Sequence, residues 1–134
     1  MRALARPSVA LGFAAFFFCA VLCTHLDDVT AEPLGLAGDL LAGVVLLVGG
    51  MLSGRDWSRG RQYQIVGWSF MTSLLFHSVM GNVSDILTHA TAIGSSGLVD
   101  LSPIAYTSIE AVLLALSSMG LWTTLISSAQ ANAV

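Results

Sequence analysis

The 134-residue chain is 55% hydrophobic and 10% charged, with a mean hydropathy of +0.81, whereas a soluble domain carries about 25% charged residues. A domain solvated on every side is thereby excluded, and a single all-α integral membrane domain is expected. Five arginines and no lysine stand against eight acidic residues, for a formal net charge of −3; no basic stripe interleaved with aromatics is present, so nucleic acid is not an expected partner.

A membrane-crossing helix needs roughly 20 mostly apolar residues. Four segments approach that length: 8–24, 34–53, 64–83 and 104–127. The first follows Pro7 and is rich in Phe13, Phe16, Phe17 and Phe18. It also carries Cys19 and Cys23 one turn apart, which read as small packing residues. The second ends in Gly49, Gly50 and Gly54. A short basic stretch, SGRDWSRGRQ, leads into the third, and an irregular Gly- and Ser-containing loop, ATAIGSSGLVDLSP, leads into the fourth. The fourth has a clear start, since Ser102 can cap the helix and Pro103 suits its first turn.

The arginines orient these segments. Arg2 and Arg6 precede the first, and Arg55, Arg59 and Arg61 lie between the second and third. Four spans place both groups on one side, as the positive-inside rule requires. The expected architecture is a four-transmembrane-helix bundle, N-in and C-in. Its termini and Arg-rich loop are cytoplasmic, and its acidic loops lie on the outer, periplasmic or extracellular, side. Trp57, Tyr63 and Trp68 fall near the expected inner boundary, as an aromatic belt would. A competing reading takes the N-terminus as a signal peptide cleaved after the V-T-A sequence ending at Ala31, which leaves three spans.

Membrane helices associate through small residues and interhelical hydrogen bonds. On the second span Gly38, Ala42, Gly43, Gly50 and Gly54 are the expected packing residues, and on the fourth Ala111, Ala115 and Ser118.

The stretch FHSVMGNVSDILTHA, 76–90, is the most distinctive. At about 100° per residue, His77, Ser78, Gly81, Asn82, Ser84, Asp85, Thr88 and His89 fall on one arc. Val79, Met80, Val83, Ile86, Leu87 and Ala90 fall on the other. The third helix is therefore expected to continue on the outer side as an amphipathic helix. Asn82-Val83-Ser84 matches the glycosylation triplet, but within a helix at a membrane boundary the match reads as accidental.

Two constellations carry chemistry. Asp39, His77 and Glu110 each lie five or six residues from the outer end of their segments, roughly 7–10 Å deep at about 1.5 Å per residue. Ionised groups at that depth are costly unless paired, which makes the three a candidate proton- or ion-binding set. Asp85 and His89 share a helix face, and His25 exits the first span on the same side. Those three are candidate ligands for a metal ion, the one cofactor the sequence suggests. No catalytic motif is present. The expected function is a small accessory or assembly subunit of a larger membrane protein complex, in contact with lipid and with other subunits or copies of itself. The alternatives are a small proton- or cation-coupled transporter or channel using Asp39, His77 and Glu110, and a metal- or cofactor-binding redox membrane protein.

Overall fold

The computed structural model describes residues 6–25, 33–88, 95–96 and 100–131. Four helices account for nearly all of them: α1 (Pro7–His25), α2 (Pro33–Ser53), α3 (Trp57–Leu87) and α4 (Pro103–Ala131). Two two-residue strands, β1 (Ser95–Ser96) and β2 (Asp100–Leu101), pair antiparallel within the loop expected to be irregular, and β1 lies against α1. The apolar stretches Leu36–Ser53 in α2 and Pro103–Ala129 in α4 are long and apolar enough to cross a membrane, and Pro7–Cys23 in α1 is a shorter apolar helix.

Local signals set the helix starts. Ser102 caps α4, its Oγ accepting from the Ala105 amide at 3.3 Å, and Pro103 opens the helix, where its missing N–H is not needed. Asp56 does the same for α3: one carboxylate oxygen accepts from the Ser58 amide at 3.0 Å and the Arg59 amide at 3.2 Å. That cap starts α3 at Trp57, seven residues before the expected segment. The basic connection therefore shrinks to residues 54–56, and Arg59 and Arg61 belong to the first turns of a 31-residue helix.

The helices pack in chain order, α1 on α2, α2 on α3 and α3 on α4. The contacts run antiparallel at each step. Along the α2–α3 contact, Gly60, Gln64 and Gly67 of α3 meet Ser53, Gly49 and Leu46 of α2. Here the backbones approach too closely for a side chain. A Cβ on Gly49 would sit 2.6 Å from the Gln64 amide nitrogen, one on Gly67 would sit 2.8 Å from the Leu46 Cα, and one on Gly60 would overlap the Ser53 backbone. Such approach is how helices gain contact where lipid removes the hydrophobic drive to associate.

The core is a stripe from each helix: Ala10, Ala14, Phe17 and Val21 from α1; Ala42 and Leu46 from α2; Trp68, Met71 and Leu75 from α3; Leu113 from α4. Trp68 is its centre. It is 1% exposed, its ring lies 4.9 Å from that of Phe13 at 58°, and Gly120 of α4 packs on its indole. Placed with the aromatic belt by sequence, Trp68 is instead a core residue, whereas Trp57 and Tyr63 are exposed. An apolar groove of about 340 Å³ remains between α1, α3 and α4, where Gly12 and Gly120 bring no side chains to fill it.

The expected packing residues distribute unevenly. Ala42 is fully buried, Gly43 and Gly50 pack on Phe18 and Leu11 of α1, and among the described residues no atom lies where a Cβ on Gly38 would sit. Gly54 meets only the carbonyl of Met51, in the turn after α2. On α4, Ala111 and Ala115 are exposed and Ser118 is half-buried, bonding its own helix at Leu114. The buried seam of α4 is Thr107, Glu110, Leu113, Ser117, Gly120 and Thr124.

A packing contrast follows. Gly67→Ala forces α2 and α3 apart at Leu46 and is expected to cost about 1–3 kcal/mol. Gly38→Ala meets nothing and gains up to about 1 kcal/mol from helix propensity. Equilibrium unfolding of the two variants in detergent checks the opposite signs.

Candidate functional site

The polar arc of α3 divides when the helix docks. Ser78 and Asn82, one turn apart, face α4, while His77, Ser84 and Thr88 on the arc's other edge are exposed. The apolar residues Met80, Val83 and Leu87 are exposed as well. The helix thus turns one polar edge onto α4 and the other polar edge outward, together with Met80, Val83 and Leu87.

What Ser78 and Asn82 meet is Glu110. Ser78 Oγ donates to Glu110 Oε1 at 2.7 Å, and Asn82 Nδ2 donates to Oε2 at 2.7 Å. Glu110 as a whole residue is 7% exposed. Both oxygens therefore have a donor, and both donors are neutral. No arginine or histidine among the described residues forms an ion pair with it. The one ion pair drawn between described side chains, Arg59 with Asp56 at 3.4 Å, is exposed and at the opposite end of α3. Contacts of this length to a charged acceptor are the strong class of hydrogen bond.

Farther along the α3–α4 contact, Leu75 and Leu113 are buried at the next level. Beyond them Thr72 Oγ1 donates to Ser117 Oγ at 3.2 Å, and Ser117 in turn donates to the Leu114 carbonyl at 3.0 Å. Then comes Trp68 on Gly120. At the end near Arg59, Gln64 is fully buried; its Nε2 donates to Ser53 Oγ at 2.9 Å, and Ser53 Oγ donates to the Gly49 carbonyl at 2.8 Å. Gln64 Oε1 and Trp68 Nε1 are buried without a hydrogen-bond partner among the described residues. The α3–α4 contact thus carries polar groups at Glu110 and at Thr72–Ser117, with an apolar layer of two leucines between them, while Gln64 is bonded to α2 on the other side of α3.

The expected Asp39, His77 and Glu110 set is distributed over three helices. Glu110 is the buried member, with Ser78 and Asn82 as its partners; His77 is exposed, and Asp39 is half-buried on α2, which packs on α3. Among the described residues no three His, Cys, Asp or Glu side chains are grouped so as to hold a metal ion. Asp85 is half-buried on α3. His89 and the side chain of His25 lie outside the described residues, as do Ala31 and the acidic residues Asp27, Asp28 and Glu32.

Ser78 and Asn82 were visible as members of the polar arc, but not singled out. The signal that finds them is the spacing of four, which places a hydroxyl and an amide on one face level with a carboxylate six residues into the next helix. No protein family model matches the chain, and neither a curated protein nor a solved structure matches it.

Glu110→Ala leaves the Ser78 and Asn82 donors without their acceptor and is expected to destabilise the α3–α4 contact by about 1–3 kcal/mol. Glu110→Gln keeps one carbonyl acceptor and is expected to cost less than half as much. Thermal unfolding in detergent, followed by circular dichroism, measures the difference.

Proposed function

We propose that the chain is a multi-pass integral membrane protein that serves as an accessory or assembly subunit of a larger membrane complex. The observation that carries this reading is an inverted distribution of polarity. Gln64, Ser117 and Thr124 are fully buried and Glu110 nearly so, while Met51, Val112, Ile104 and Trp122 are each at least 60% exposed. In water that arrangement would be costly. In a bilayer it is the favourable one, because polar groups must find partners inside the protein while apolar faces meet lipid or other apolar helices.

In this reading all four helices cross the bilayer, α3 included. Its Gln64, Thr72, Ser78 and Asn82 are partnered by α2 and α4, which lets a less apolar helix span as part of a four-helix bundle. Arg6, Arg55, Arg59 and Arg61 then gather on the cytoplasmic side with both termini, and the α3–α4 connection lies outside. Buried polar side chains bond one another across helices, at Ser53 with Gln64, Thr72 with Ser117, and Ser78 and Asn82 with Glu110. Those bonds hold the chain's own helices together and leave its apolar outer faces for neighbouring subunits.

Sidedness is tested with single cysteines in a Cys19→Ser, Cys23→Ser background. A membrane-impermeant maleimide applied to intact cells is expected to label Gly97→Cys and spare Ser58→Cys. The reverse pattern, or equal labelling, contradicts the N-in arrangement. The subunit role is tested by native mass spectrometry of the tagged chain, purified at its natural expression level from its own host. The expected mass exceeds that of the chain and its own multiples, with a partner in fixed stoichiometry. A monomer or homo-oligomer alone contradicts the role.

A further inference from the structure

The Glu110 site has a feature that helix association does not require: a carboxylate buried against neutral donors only, with no cationic side chain among the described residues to balance it. A buried charge of this kind, in apolar surroundings, calls for neutralisation by something that binds there. We propose that Glu110, held by Ser78 and Asn82, is a proton-binding site at the α3–α4 contact, taking up and releasing its proton at the end of the contact near Thr88.

The geometry accommodates both forms with little movement. In the charged form Ser78 Oγ donates to Oε1 and Asn82 Nδ2 donates to Oε2, each at 2.7 Å. On uptake, a proton from water bonds to Oε1, and the new O–H donates to Ser78 Oγ across the same distance. The serine hydroxyl hydrogen turns away from Oε1, which leaves its oxygen free to accept. Asn82 continues to donate to Oε2. No heavy atom has to relocate and no other bond is made or broken. A metal cation would instead require Asn82 to turn its oxygen inward, and no group of three His, Cys, Asp or Glu side chains able to hold a metal is found among the described residues.

Access is one-sided. Leu75 and Leu113, both nearly fully buried, separate Glu110 from the Thr72–Ser117 pair, so the proton enters and leaves at the same end. The titratable groups around that end are His77, exposed beside Ser78, and Asp85, half-buried three residues beyond Asn82, both on α3, with Tyr106 one turn before Glu110 on α4. Neither His77 nor Asp85 bonds the Glu110 carboxylate.

The sequence makes the test unusually clean, because Glu32 is the only other glutamate. The full chain is made by cell-free synthesis with glutamate carrying a ¹³C side-chain carboxyl, in a Glu32→Gln background, and placed in liposomes. Glu110 is then the sole labelled carboxyl in an otherwise unaltered site. Infrared difference spectra are recorded as the pH is lowered from about 9 to about 4, a range that brackets ordinary and strongly displaced carboxyl groups. The expected result is a labelled carboxylic-acid C=O band that rises while the labelled carboxylate bands fall in step. In the Ser78→Ala variant that acid band shifts in frequency, because the O–H has lost its acceptor. A label that stays wholly in one form across the range overturns the proposal. An interconversion whose midpoint moves with sodium concentration at constant ionic strength overturns it in favour of a monovalent cation. An acid band unmoved by Ser78→Ala overturns the assignment of Ser78 as the proton's partner.

Discussion

A carboxylate inside an apolar interior has to find hydrogen-bond donors, and in this protein that requirement fixes how α3 faces α4. Glu110 sits two turns into α4, where its side chain cannot reach past the helix end without leaving the seam. Ser78 and Asn82 meet it from α3, and the spacing of four that puts both on one face also fixes the rotation of α3 about its axis. Once that rotation is set, the remaining contacts fall into register. Thr72 reaches Ser117, and Trp68 lies on Gly120.

The opposite side of α3 is governed by a different demand. Gly60 and Gly67 let its backbone lie against Ser53 and Leu46 of α2, and Gln64 between them bonds Ser53. α3 is therefore the hub, joined to α2 by close approach and to α4 by polar contacts, with Trp68 filling the space between it, Phe13 and Gly120. α1 reaches the rest mainly through α2, and its remaining gap to α4 is the apolar groove. The helices are thus tied differently: α2 and α3 lie backbone to backbone, and the α1–α4 side keeps an apolar groove.

Much of this was legible in the sequence. Hydropathy marks out four helical segments, and Ser102 with Pro103 marks the start of α4 because capping chemistry is local. The start of α3 was missed because Asp56 sits among arginines, where it reads as part of a charged loop until the Ser58 and Arg59 amides are seen to point at it. The face of α4 was misjudged for a related reason. Small residues at spacings of three and four occur on two of its faces, and sequence alone does not rank Ser117 and Gly120 above Ala111 and Ala115. What separates them is the position of Glu110, which must be inside if it is to be satisfied. Depth alone grouped Glu110 with His77 and Asp39, because depth can be counted along a helix, whereas rotation depends on contacts between helices. His77 is only one residue from Ser78, and that step of about 100° carries it from the contact to the surface.

The central claim is that the Ser78 face of α3 lies on the Glu110 face of α4 in the membrane. It is tested most directly by disulfide cross-linking in isolated membranes, in a background with Cys19 and Cys23 replaced by serine. The pair Thr72→Cys and Ser117→Cys replaces hydroxyl oxygens that stand 3.2 Å apart. A mild oxidant should join that pair in nearly every molecule and leave the pair Ser73→Cys and Leu116→Cys, both on exposed faces, unjoined within one chain. Cross-linking of the second pair within a single chain, with the first left free, would contradict the account.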